Sequence, residues 1–173
     1  MGTYPGGNII RVTPTVVAGE TADNDVMFDA AEIPNAVSSR GGVSILKSIT
    51  IIDNDAEEVD MDIIFMAVQT NFGTADSASS ITDANLQASK VLGALPIDWS
   101  DGGCTFAQNS GSASICTFSG HTDNAGGSQL PMLLKAEEGS TSIYFTAIVN
   151  DGSNADYSAT DDLEFVFHVE YLG

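Results

Sequence analysis

Period-two alternation dominates the chain, carried by β-branched and aromatic residues and broken by clusters of Gly, Asn, Asp and Ser, the pattern of short β-strands. Asn8 to Val17 reads as a strand in which Pro14 removes a ladder donor and favours an edge position. Asp25 to Ile33 follows, closed by Pro34. Gly41-Gly42 then opens Val43 to Asp53, where alternation sets Val43, Ile45, Ile49 and Ile51 on one face. The opposite face carries Ser44, Ser48 and Thr50, with Leu46 and Ile52 as its apolar members. Asp53-Asn-Asp-Ala-Glu-Glu58 leads to a second long strand, Val59 to Thr70, and the two read as a β-hairpin with a long acidic loop. Leu130 to Ala136, Thr141 to Val149 and Asp162 to Tyr171 supply the later strands.

One segment has helical spacing instead. Ala84, Ala88, Val91, Leu92 and Leu95 form a single apolar stripe, with Asp83 placed as N-cap, Gly93 as a stop and Pro96 shortly after. The spacing predicts one short helix near 83–92. Asn71 to Ser80, small and polar, reads as a loop. Seven or eight closely spaced strands and one helix predict a mainly β protein, an antiparallel β-sandwich of jelly-roll-like or immunoglobulin-like type. With 173 residues and no long linker, the expectation is a single domain, 1–173. Residues 1–8, rich in Gly with Pro5 among them, are a candidate extended N-terminal arm.

Charge narrows the function classes. There are 24 Asp and Glu against 5 Lys and Arg, a formal net charge of -19. Nucleic-acid binding needs a basic face that five cations cannot supply, and an anionic membrane surface is equally disfavoured. No apolar run approaches the ~20 residues of a membrane span. This is no disordered acidic tail either, because 43% of residues are hydrophobic and only 17% are charged. The opening stretch from Met1 to Gly7 lacks the basic and apolar regions of a secretory signal, so a chain made in a cytoplasm and used without export is expected.

Candidate chemistry is sparse. Cys104 and Cys116 lie in an echo, Cys-Thr-Phe twice, around turn-forming Gln108 to Ser112. A hairpin centred near Ser110 sets the cysteines opposite each other, where they either bridge or stay reduced and partly buried. Two cysteines alone do not make a zinc site. Ser119, His121 and Asp123 are close in sequence, but triads are assembled from separate segments, so a surface loop is the plainer reading. His168 alternates with Phe167 and Val169 as a strand residue. Seventeen glycines include no Gly-x-Gly and no Walker loop, and Trp99 is the one tryptophan. No catalytic motif is present, and a non-enzymatic protein without a resident cofactor is expected.

The acids are the strongest chemical signal. Asp53, Asp55, Glu57, Glu58, Asp60 and Asp62 place six carboxylates within ten residues. Hard oxygen donors suit calcium, yet Glu58 stands where an EF-hand requires Gly. The run is therefore either a solvated loop or a divalent-cation site, with Asp151, Asp156, Asp161 and Asp162 as a second such cluster.

Four stretches carry a resemblance: Asn24-Asp-Val-Met-Phe-Asp-Ala-Ala-Glu-Ile-Pro34, Gly41-Gly-Val-Ser-Ile-Leu-Lys-Ser-Ile-Thr-Ile-Ile-Asp53, Gly139-Ser-Thr-Ser-Ile-Tyr-Phe-Thr-Ala-Ile-Val149 and Tyr157-Ser-Ala-Thr-Asp-Asp-Leu-Glu-Phe-Val-Phe167. Together they resemble small virion structural proteins of tailed bacteriophages, in strand order and turn wording, from about residue 8 onward. The resemblance implies a β-rich protein of the capsid surface or tail and transfers no functional residue. It leads to the expectation of a capsid decoration or cement protein, made in the host cytoplasm and located on the virion. Its partner would be the major capsid protein, with self-association, a trimer, at a local three-fold axis. The alternative is a tail, fibre or host-recognition module binding a cell-surface glycan or receptor through loops such as 108–112 or 119–127.

Overall fold

The computed structural model describes residues 6–99, 105–108, 113–119, 130–150, 152 and 154–172. Twelve strands and one helix run in the order β1 (Gly7–Val12), β2 (Gly19–Thr21), β3 (Val26–Ile33), β4 (Val43–Asp53), β5 (Met61–Met66), α1 (Asp83–Ser89), β6 (Val91–Ile97), β7 (Thr105–Gln108), β8 (Ser114–Phe118), β9 (Met132–Lys135), β10 (Ile143–Val149), β11 (Ala155–Tyr157) and β12 (Leu163–Leu172). A six-stranded sheet has the order β1-β12-β4-β8-β7, with β9 also on β4, and a four-stranded sheet has the order β3-β10-β5-β6. β11 and β2 form a small third sheet.

The pairing is nested. β1 pairs with β12, β3 with β10, β4 with β9 and β5 with β6, all antiparallel. A long antiparallel ribbon wound over itself gives this order, with alternate pairs in alternate sheets, and it is a jelly roll. The hairpin β7–β8 is an addition, joined to β4 beyond the nested set.

Side chains from both sheets meet in a Phe cluster. Phe165 and Phe167 of the six-stranded sheet interdigitate with Phe28, Phe65 and Phe145 of the other, at centroid separations of 4.9–6.1 Å. Edge-to-face contacts such as Phe145–Phe167 (4.9 Å, 76°) match the ring quadrupole preference.

Most strands predicted from alternation are present, and β4 has the predicted bounds. Three expectations are corrected. First, β4 and β5 are not a hairpin. They lie in different sheets, so the acidic connection crosses the end of the sandwich. Local alternation marks each strand but does not say which neighbour it takes. Second, β4 changes faces midway. Its register with β12 skips Lys47, between Leu46↔Val169 and Ser48↔His168. This bulge turns Ser44, Leu46, Ile49, Ile51 and Asp53 inward and sends Val43 and Ile45 outward. Third, the helix ends at Ser89. Thr82, not Asp83, is the N-cap, its side chain accepting from Asn85 N, and Lys90 closes the helix at φ 50°. Val91 to Ile97 is strand instead, pairing with β5. An apolar stripe there served two elements in succession.

At the opening of β4, Gly41 has φ +68°, and a Cβ on Gly42 would meet the Ser39 carbonyl oxygen at 2.7 Å, so the pair is needed for the turn. Of the candidate arm, Gly7 and Asn8 belong to β1, opposite Glu170 and Val169, while residues 1–5 lie outside the described residues. Among the described residues no helix is long and apolar enough to cross a membrane.

Candidate docking face and acidic end

Two regions stand out. The first is the outer face of the six-stranded sheet. Alternation in its strands turns Ile10, Leu46, Phe165, Phe167 and Leu134 inward and their sequence neighbours to the outer side, where Val166, between Arg11 and Thr50, is nonetheless buried at 4% exposure. Large apolar side chains are thereby exposed, Ile9 by 62%, Leu133 by 58%, Ile115 by 42% and Leu172 by 41%. Arg11, Lys47 and Lys135 stand on the same face, three of the chain's five Lys and Arg.

Arg11 Nη1 bonds Glu164 Oε1 at 2.6 Å, and Lys47 Nζ is 3.3 Å from Glu170 Oε2. Thr50 and Thr117 share a hydroxyl hydrogen bond of 2.9 Å across β4 and β8. His168 lies in this surface, opposite Ile9 and Ser48. On a chain of net charge -19, this face is apolar with its charges nearly balanced. Sequence reading missed it, because the bulge at Lys47 reverses the face assignment of Val43 and Ile45. The clustering of Lys and Arg near β-strands was the available signal.

The second region is the acidic end. The connection 54–60 folds against 155–162, so the two acidic clusters that the sequence keeps about a hundred residues apart come together. Asn54 N donates to the Asp162 carbonyl (2.7 Å), Ser158 N to Asp55 Oδ2 (2.7 Å) and Asp156 N to Glu57 Oε2 (3.2 Å). Asp162 Oδ2 accepts from Ala159 N (2.6 Å) and Ser158 Oγ (3.1 Å).

Asp53, fully buried at the end of β4, organises the turn. Its Oδ1 accepts from Asp55 N (3.0 Å) and its Oδ2 from Glu58 N (2.8 Å). Burial pushes its carboxyl up, opposed by these backbone N–H groups and reinforced by the charge of Asp55. Glu57 is pushed up for the same first reason, burial, with Asp55, Asp53 and Asp156 adding repulsion. Glu58 Oε1 accepts from Ser114 Oγ (2.7 Å). Asp60 Oδ1 accepts from Trp99 N (2.9 Å), and Asp62 Oδ2 from Asn150 Nδ2 (3.0 Å), so these two leave the cluster. Burial also pushes Asp62 up. Among the described residues no three acids already converge as metal ligands.

The remaining candidates are placed as follows. Cys116 is buried on β8 and disulfide-bonded. Its cross-strand partner is Phe106, not the residue expected from a hairpin centred near Ser110, and Cys104 lies outside the described residues. His121, Asp123 and Asp151 lie outside them too, as does most of both loops considered for receptor binding. Trp99 is packed into the core, 9% exposed, and offers no stacking platform.

No family model and no curated protein matches the chain. Among solved structures it is similar to a chain from the "Structure of a marine algae virus of the order Picornavirales". Identity is 10% and the TM-score 0.24, over 97% of this chain and 67% of that one. A likeness this slight bears on neither fold nor function.

Proposed function

We propose that this protein is a virion structural protein, a capsid decoration or cement protein that lays the outer face of its six-stranded sheet on the assembled shell. That face, which has no cover among the described residues, carries this reading. Exposed Ile9, Leu133, Ile115 and Leu172 supply apolar contact area, and Arg11, Lys47 and Lys135 give, among the described residues, a region where an acidic chain meets another protein with less repulsion. The occupant is the surface of the major capsid protein, apolar with acidic groups at its rim to meet the cations. The exposed acids at the end of the sandwich then meet solvent, favouring solubility and discouraging non-specific attachment. The jelly roll recurs in viral capsid domains but also in lectins and cupins, so it supports the reading as analogy only. The phage resemblance in strand and turn wording supports it independently.

The test uses shells stripped of the protein. Wild-type chain should rebind them in many copies over the whole surface, as a trimer at local three-fold positions, and Ile9→Lys with Leu133→Lys should abolish rebinding without lowering the melting temperature. Attachment of the isolated protein to susceptible cells, with no binding to bare shells, would establish the host-recognition alternative in its place.

A further inference from the structure

The two large sheets treat their edges differently. In the four-stranded sheet, the edge strand β3 is closed by bonds from 69–77 to Val26 and Ala30. At its other edge β6 carries Pro96, which has no main-chain donor to offer. At one edge of the six-stranded sheet, β1 has neither protection among the described residues. It runs from Gly7 to Val12 without proline and pairs with β12 in unbroken register. An edge of this kind is a template for another strand.

The outward groups can be named. Tyr171 N donates to Gly6 O (2.9 Å), and the register carries that phase along the strand. Asn8, Ile10 and Val12 therefore exchange bonds with β12, while Gly7, Ile9 and Arg11 turn their N–H and C=O groups away from it. All three are exposed. Ile9 N is held by Asn8 Oδ1 (2.9 Å), a bond between neighbouring residues that an added strand replaces.

We propose that β1 pairs with β1 of a second copy of this chain, antiparallel about Ile9, across a two-fold axis perpendicular to the sheet. The three outward positions are self-complementary. With Ile9 opposite the partner's Ile9, Gly7 stands opposite the partner's Arg11, and each pair exchanges two main-chain bonds. Sliding the register either leaves Gly7 or Arg11 unpaired within β1 or sets two arginines against each other. Charge favours the same arrangement. Gly7 lies opposite Glu170 of β12, so the partner's Arg11 can reach across the bare glycine to that carboxylate. The gap is two strand spacings, about 10 Å, within the combined length of the two side chains. Arg11 is free to re-aim, because its side chain is 62% exposed and its pair with Glu164 is a surface one. Pairing joins the two six-stranded sheets into one and closes both β1 edges. The two-fold contact is separate from the three-fold contact proposed at the shell and needs no shell to form.

Sedimentation velocity on the full chain tests this at about 0.15 M salt, where repulsion between two chains of net charge -19 is screened beyond roughly 8 Å. An edge contact is small, so a dimer should appear in the micromolar-to-millimolar range. Ile9→Pro removes an outward donor without touching the β12 ladder and should stay monomeric throughout. Arg11→Glu should weaken dimerisation roughly tenfold or more, and Arg11→Glu with Glu170→Arg should restore it, which decides the matter even where the proline variant fails to fold. Ile9→Cys should cross-link to a dimer on mild oxidation, since directly opposed residues of a bonded pair have Cα atoms about 5.5 Å apart. Asn8→Cys, which faces the other way, should not. A chain monomeric up to about 1 mM, a Kd weaker than about -4 kcal/mol of binding, overturns the proposal. So does a dimer that Ile9→Pro and Arg11→Glu leave intact, or equal cross-linking of the two cysteine variants.

Discussion

The outer faces of the two sheets have opposite fates. Over the four-stranded sheet, the stretch after β5 folds back and seals the surface. Phe72, fully buried, caps a second small core of Ala30, Ile64, Met66 and Ile148. The covering segment is tied to the edge strand β3 by Asn71 Oδ1 accepting from Ala30 N (2.9 Å) and by Gln69 Nε2 donating to Ala30 O (2.8 Å). Asp76 N to Val26 O (2.8 Å) and Val26 N to Ser77 O (3.0 Å) complete the seam. The six-stranded sheet has no such cover among the described residues, although its outer side chains are just as apolar in places. Among the described residues, then, one apolar outer face is covered by the chain's own loop and the other is not.

Stability measurements can break this contrast. Phe72→Ala should have the largest effect, about 3–5 kcal/mol in a urea titration, the cost of emptying a buried aromatic site. A loss no greater than that of Leu133→Ala would mean that the covering loop is as dispensable as open surface. Asp53→Asn should come next, at roughly 1–3 kcal/mol, because an amide offers one acceptor where Asp55 N and Glu58 N now find two.

Acidity should then separate the end of the sandwich from both faces. Asp53, Glu57 and Asp62 hold their protons more tightly folded than their ordinary values of 3.8, 4.5 and 3.8. Between those values and the raised folded ones, the native state binds more protons than the unfolded chain. Their stabilising contribution is therefore fully present below the unfolded values and lost as pH rises through the folded ones. Melting temperature should climb as pH falls from about 7 into the upper carboxylate range. A flat or falling profile would refute that balance. The smallest effect belongs to the bare face, where Leu133→Lys should stay within about 0.5 kcal/mol of wild type at every pH. A larger loss would show that the face already has an intramolecular role.

Much of the fold was legible. Alternation with punctuating Gly and Pro located β3, β4, β10 and β12, because each of these strands buries one face in the shared core. Pairing was not legible, since nested partners such as Gly7 and Glu170 communicate only through space. The bulge at Lys47 was hidden because a one-residue slip leaves composition unchanged while reversing every side chain beyond it. The helix overran because Val91, Leu92 and Leu95 suit either period, and pairing with β5 decided between them. Of the acidic site, the acids themselves were visible as two clusters. Their meeting was not, because it depends on hydrogen bonds such as Ser158 N to Asp55 Oδ2 between segments about a hundred residues apart.

Nesting also sets a timetable for synthesis. β1 is the first of the described strands to leave the ribosome, yet its partner among them, β12, is the last of them to be made. The six-stranded sheet cannot close around its centre until translation has passed Leu172, and for that whole interval β1 and β4 wait with open edges. Newly made chains are thus exposed to mispairing with one another at a stage when the finished protein is already safe. Accumulation of the protein on expression should accordingly respond to chaperone supply and growth temperature more than the stability of the folded state alone would suggest.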